Sequence, residues 1–207
     1  MVESTVQHQY DQIARIYDQR WKTYVENTLN FLGQWADIPP QATVLDLACG
    51  TGEFERLLLQ DNPNQQILGI DISAEMLAIA QQKLHHYPSA KFEPGSATNI
   101  PLTTEQVDVV VCANSFHYFD QPIDALVEMK RVLKPDGKIV ILDWCRDFLL
   151  CRFCDAVLKL IDPAHQQCYT QKEFHEFFSS AQLNVQAATK KRFGLVWGLM
   201  VATATKG

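Results

Sequence analysis

From residue 43 to residue 143 short apolar runs alternate with amphipathic stretches, and this alternation constrains the fold more than any other feature. Thr43–Leu47, Gln66–Ile70, Lys91–Glu93, Val107–Ala113 and Lys138–Asp143 read as strands. Glu53–Gln60, Ala74–His85 and Pro122–Leu133 read as helices between them. Val107–Ala113 is nearly all apolar and β-branched, as a strand covered on both faces should be. Strands alternating with helices predict βαβ units, hence an α/β fold with a parallel sheet and helices on both faces. Ser73 is a suitable N-cap for the second helix, although Met76 stands at the capping-box position. Lys134–Pro135–Asp136–Gly137 is a breaker cluster that should end the third helix.

The flanking segments differ. Up to Ala36 the chain reads as helical, with Val25, Leu29, Leu32 and Trp35–Ala36 at helical spacing, and Pro39–Pro40 stops the pattern. Asp147–Ile161 reads as a helix, and Thr170–Gln182 as another with Thr170 and Glu173 at capping-box spacing. Asn184–Phe193 and Leu195–Thr205 are strand-like and meet near Gly194, which suggests an antiparallel hairpin at the sheet edge. A chain of 207 residues fits one domain.

Charge and composition narrow the function classes. The formal charge is −6, and the densest basic run, Lys190–Lys191–Arg192, is short, so no nucleic-acid partner is expected. No apolar run approaches the ~20 residues of a membrane span, and no membrane partner is expected. The start, MVESTVQHQYDQ, has no signal-peptide pattern, which points to the cytoplasm. The six cysteines then read as thiols. Cys151, Cys154, His165 and Cys168 could be combined into a metal-ligand set. Cys151 and Cys154, however, stand at i and i+3 of an apolar helix, where buried free cysteines are common, and no metal is expected.

Ligands of parallel sheets bind at the carboxyl ends of the strands. The first strand runs into Ala48-Cys49-Gly50-Thr51-Gly52, a turn whose glycines let a ligand touch the main chain. Asp71 ends the second strand, twenty-one positions after Gly50, the spacing at which an acid meets a ribose hydroxyl pair. A dinucleotide would need a third glycine at position 55, where Glu55 stands with Glu53 nearby. Two acids at that helix start suit the dipole and should repel phosphate. A phosphate-free nucleoside carrying a zwitterionic amino acid and a sulfonium fits better: S-adenosylmethionine.

The runs VLDLACGTGEF, GIDIS, VVVCANSFHYF and MKRVLKPDGKIVILDW together resemble class I S-adenosylmethionine-dependent methyltransferases, most closely the UbiE-like, type 11 group. The resemblance covers roughly residues 8–143. It implies a Rossmann-like seven-stranded sheet of order 3-2-1-4-5-7-6 with strand 7 antiparallel. It also implies a division into an N-terminal helical lid (1–36), a cofactor-binding core (37–143), a helical cap (144–182) and a C-terminal hairpin (183–207). Carried over, Asp46 orients the loop and the ligand's ammonium, Ala48, Gly50 and Gly52 lie along the methionine part, and Asp71 holds the ribose. Ile72 and Met76 pack on adenine. Ser96, followed by Ala97, replaces the acid that usually meets the adenine amino group, so that contact loses its charge. Tyr17 and Arg20 would cover the methionine carboxylate.

The expected activity is methyl transfer to a small-molecule acceptor by in-line displacement, with S-adenosylhomocysteine as product. His117 and Asp143 are the candidate catalytic residues, His117 as a base. Asn114 follows strand 4 beside the cofactor. Phe148, Leu149, Leu150, Phe153, Phe174, Phe177 and Phe178 suggest apolar acceptor walls. The alternatives are a non-catalytic S-adenosylmethionine binder and a nicotinamide-dependent oxidoreductase; Glu55 argues against the latter. Monomer and homodimer both remain open.

Overall fold

The computed structural model describes residues 2–162, 164–194 and 197–207. A long helix, α1 (Val2–Ala36), leads into β1 (Thr43–Leu47), α2 (Glu53–Asp61), β2 (Gln66–Asp71) and α3 (Ala74–Leu84). Next come β3 (Ala90–Pro94), β4 (Val107–Ala113), a 3-10 turn at Phe116–Tyr118, α4 (Pro122–Val132) and β5 (Leu133–Trp144). The chain closes with α5 (Leu149–Ile161), α6 (Gln171–Ser180), β6 (Leu183–Phe193) and β7 (Trp197–Lys206). The strands form one sheet in the order β3-β2-β1-β4-β5-β7-β6. β1 to β5 pair in parallel, and β7 runs antiparallel to both β5 and β6. This is the expected α/β sheet, in the expected strand order. Leu195 and Val196, the expected start of the last strand, lie outside the described residues.

The apolar strands make sense because both faces are covered. Successive strand residues point to opposite sides. Val109 and Val111 therefore join the core under α1, α2 and α3, with Leu29, Leu32, Phe54 and Leu84. Val110 and Cys112 join the core under α4 and α6, with Leu126, Met129, Phe174 and Phe178. The breaker cluster ends α4 as expected but does not make a free loop. β5 starts at Leu133, paired with Val107, and the register jumps to Lys138 opposite Val109. Lys134–Gly137 is thus taken up as an irregularity within the strand.

The expected acceptor walls divide. Phe174 and Phe178 are fully buried core residues and line nothing. Leu149 and Phe153 face outward, 80% and 66% exposed. Helical spacing marks which residues share a face, and only the neighbouring elements decide where that face points.

α6 carries the expected capping box: the Glu173 N–H donates to Thr170 Oγ1 at 3.2 Å, and the Thr170 N–H donates to Glu173 Oε2 at 2.7 Å. Thr170→Ala removes one partner and should cost about 1 kcal/mol, a melting shift of roughly 2–4 °C. Calorimetry would read it, and an unchanged melting temperature would show the cap to be idle.

Candidate functional site

A cleft enclosing about 1240 Å³, open to solvent, lies at the carboxyl ends of β1, β2 and β4 beneath α1. Its floor is the turn after β1. Ala48, Gly50 and Gly52 all take positive φ there, 63°, 57° and 78°. For Ala48 the left-handed conformation costs about 1–2 kcal/mol. It is held by its N–H donating to the Ile70 carbonyl at 2.7 Å. A Cβ placed on Gly50 would meet nothing within 4 Å, so the main chain is bare toward the cleft. Gly52 behaves differently: its Cβ would lie 3.0 Å from that of Ala80. It turns the chain into α2 and lets α3 pack close, and it does not line the cleft.

Asp71 binds the turn to β2. Its Oδ2 accepts the Gly50 N–H and its Oδ1 the Ser73 N–H, both at 2.8 Å. Burial raises its pKa, while those two N–H groups act the other way. Ser73 caps α3 by accepting the Met76 N–H, and its hydroxyl donates to Asp11 Oδ1 of α1 at 2.5 Å. Ile72, Met76, Ser96 and Ala97 line the adjoining wall. The Ser96 hydroxyl pairs with that of Thr98 at 3.1 Å.

Glu53 and Glu55 do not act as expected. Glu53 is neutralised by Arg56 Nε at 2.8 Å and by Lys83. Glu55 is fully buried and points away from the helix start, under Gly69, whose added Cβ would sit 2.8 Å from Glu55 Oε1. There it meets Asp46. Burial pushes the Glu55 pKa up to about 8, and burial together with Glu55 pushes Asp46 well above the carboxylate range. The pair therefore shares a proton near neutrality. Among the described residues, every charged side chain lining the cleft is an acid: Glu3, Asp46, Glu53, Asp71 and Asp120.

α1 closes the cleft from above and is tied down along its length. Asp18 accepts from Thr51 Oγ1 at 2.5 Å and from Lys83 Nζ at 2.7 Å. Tyr17 lines the cleft. Arg20 does not: it is exposed, with its guanidinium 5.5 Å from the Trp21 ring centre. One turn earlier and later along a helix face lie different neighbours, so a spacing argument alone does not choose between them. Tyr10 and Tyr118 complete the wall, their rings edge to face at 5.7 Å. Burial raises all three phenols, Tyr118 to about 12, so they stay protonated. Sequence reasoning missed Tyr10 and Tyr118; the spacing of Tyr10 and Tyr17, two helical turns apart, was the available signal.

Asn114 lines the cleft with its backbone at φ 58°, but its side chain is engaged. It accepts from the Tyr24 hydroxyl at 2.6 Å and donates to Thr28 Oγ1 at 3.2 Å. His117 and Asp143 are close partners, with Nδ1 2.7 Å from Oδ1 and the His117 N–H donating to Oδ2 at 2.6 Å. Both are buried, His117 at 2% exposure, and neither lines the cleft. Their geometry fixes the Phe116–Tyr118 turn onto β5 and so presents Tyr118.

Of the residues considered for a metal, His165 and Cys168 come together, and Asp155 joins them, their ligand atoms within 4.8 Å. Asp155 Oδ1 lies 2.9 Å from His165 Nε2 and accepts the Cys168 N–H at 2.6 Å, and Oδ2 meets Lys159 at 3.1 Å. The protein's own donors saturate the carboxylate. Cys154 stands outside this cluster.

Residues 45–141 match the family model described as a methyltransferase domain. The 2-phytyl-1,4-naphtoquinone methyltransferase of Thermosynechococcus vestitus is 32% identical over 147 residues, 68% of this chain and 65% of that protein. The demethylmenaquinone methyltransferase of Thermotoga maritima is 34% identical over 142 residues, 67% and 58% of the two chains. The chain thus spans less than two thirds of the length of these relatives. A crystal structure of an S-adenosylmethionine-dependent methyltransferase from Thermotoga maritima superposes with a TM-score of 0.77 at 19% identity, covering 97% of this chain and 99% of that one. The matched stretch, from β1 to β5 through the glycine turn and Asp71, marks residues 45–141 as a methyltransferase domain, and the sheet has the fold of the solved methyltransferase.

Proposed function

We propose that this protein binds S-adenosylmethionine in the cleft under α1 and transfers its methyl group to a small, partly apolar acceptor. The observation that carries this reading is the charge of the lining. With Glu53 paired to Arg56 and Lys83 and Asp46 sharing a proton with Glu55, Glu3, Asp71 and Asp120 still face the cleft with no Lys or Arg among the described lining, which favours a ligand bearing a sulfonium and an ammonium and disfavours a pyrophosphate. The residues fit the cofactor in two further respects. The main chain at Gly50 is open to a ligand, and Asp46 presents a buried Oδ1 without a hydrogen-bond partner, suited to a cation.

When bound, S-adenosylmethionine supplies an activated methyl on a cationic sulfur. The protein's part is positioning and exclusion of water. Asp71 holds the glycine turn in its open form and keeps acceptor capacity for ribose hydroxyls. Asp46 offers its unpartnered Oδ1 as an acceptor to the ammonium, and Ile72 and Met76 offer apolar contact to a base. Tyr10, Tyr17 and Tyr118, kept protonated by burial, donate hydrogen bonds to an acceptor oxygen but take no proton from it near neutral pH. His117 and Asp143 act as positioning residues for Tyr118. An acceptor of partly apolar character agrees with Val6, Val25, Leu29 and Phe119 in the lining, and with quinone-directed relatives.

Calorimetric titration tests the binding step. S-adenosylmethionine and S-adenosylhomocysteine should bind in the micromolar range, and reduced nicotinamide dinucleotide should not. Absence of binding by either sulfur compound at millimolar concentration would end this reading.

A further inference from the structure

α5 is the most unusual surface element of the molecule. It meets the rest of the protein through a narrow stripe in which only Cys151 and Asp155 are buried. Leu149, Phe153, Val157, Leu160 and Ile161 turn outward, Leu160 at 86% and Ile161 at 70% exposure. At 100° per residue these side chains fall within an arc of about 120°, a continuous apolar face. A face of this kind on an otherwise soluble surface marks an interaction site.

Charge and size indicate what covers it. The chain as a whole carries −6. Yet one edge of this face is cationic: Arg152 is exposed there, with Lys159, paired to Asp155, seven residues further on. Arg192 sits 5.5 Å over Phe148, just before the helix start. The nearby acids are already engaged. Asp155 is buried against Lys159, Asp147 pairs with Lys190 at 2.9 Å, and Asp162 accepts from Gln9 at 3.4 Å. A helix of this length offers a face roughly 20 Å by 10 Å. That is well short of the ~800 Å² per partner of a stable protein interface. An apolar face with a cationic edge, smaller by itself than a stable protein interface, has the character of a helix lying in a membrane interface.

We propose that α5 docks the protein onto a lipid bilayer surface bearing anionic headgroups. Among the described residues no helix is long and apolar enough to cross a membrane, and docking requires none. The placement gives docking a purpose. The Gln9–Asp162 contact joins the end of α5 to α1 beside Tyr10, at the rim of the cleft. A partly apolar acceptor dissolved in the bilayer would then reach the cleft without crossing water, an advantage that rests on the methyl-transfer reading. The docking itself rests on α5 alone.

Flotation of the full-length protein with vesicles tests it. Binding is expected to mixed phosphatidylcholine–phosphatidylglycerol vesicles, less to phosphatidylcholine alone, and less again at high salt. The Phe153→Glu/Leu160→Glu double variant changes only exposed positions and should weaken vesicle binding roughly 10- to 100-fold. Its S-adenosylmethionine titration should match the wild type. Failure to bind either vesicle, or equal binding by the double variant, overturns docking. So does a dimer in sedimentation equilibrium that the double variant dissolves while vesicles bind neither protein. A chain that binds vesicles but not S-adenosylmethionine overturns the methyl-transfer reading and leaves docking standing.

Discussion

Replacing Asp71 with alanine should weaken S-adenosylmethionine binding by about 100-fold or more, read by titration calorimetry. Asp71 touches both the glycine turn and the start of α3. Its two oxygens receive the Gly50 and Ser73 N–H groups, so it sets the shape of the turn as well as facing the cleft. Hydrogen bonds to a charged group contribute roughly 1.5–3 kcal/mol each, and the variant loses two within the protein before any to the ligand. The left-handed Gly50 then loses the side chain that holds its N–H, while Ala48 keeps its bond to the Ile70 carbonyl. Asp71→Asn, which keeps one acceptor oxygen, should fall between the two. Binding by Asp71→Ala within threefold of the wild type would remove Asp71 from the site.

The second large effect concerns stability and pH. Glu55 ionises at about 8 in the folded protein against an ordinary 4.5. Below pH ~4.5 it is protonated in both states and costs nothing. Between 4.5 and 8 the folded chain binds more protons than the unfolded chain, so stability declines as pH rises, and it levels off above 8. The full decline is at most about 5 kcal/mol for a group this deeply buried. Asp46, raised in the same direction by burial and by Glu55, titrates with it as one unit. Glu55→Gln keeps the shape, removes one ionisation and can donate to Asp46. The variant should therefore match the wild type near pH 5 and exceed it at pH 8 by about 1–3 kcal/mol in urea unfolding. Parallel stability profiles for the two proteins would show that the buried pair does not carry the cost.

Much of the architecture was legible before any coordinates. β1 and β4 have the bounds that the apolar runs gave, Thr43–Leu47 and Val107–Ala113, because a strand covered on both faces leaves a local mark in its own residues. The α6 capping box was legible for the same reason, since its partners are three residues apart. The cleft was legible in part: the glycine turn and Asp71 owe their position to strand ends, which the alternation locates. His117 and Asp143 were harder to place, because proximity in sequence to a strand end does not say which way a side chain leaves it, and Arg20 because helical spacing alone does not say which side of α1 faces the cleft.

The sequence by itself determined the α/β sheet, the turn after β1 and the acid that ends β2, all features written in local periodicity and spacing. Tertiary structure alone decided that Glu55 turns inward to Asp46, that His117 is buried against Asp143, and that the apolar face of α5 looks outward. Each of these depends on which distant segment occupies the neighbouring space: Gly69 against Glu55, β5 behind His117, and only a narrow contact behind α5. A helical pattern records that one side differs from the other, and only packing across the sheet selects the side that is covered.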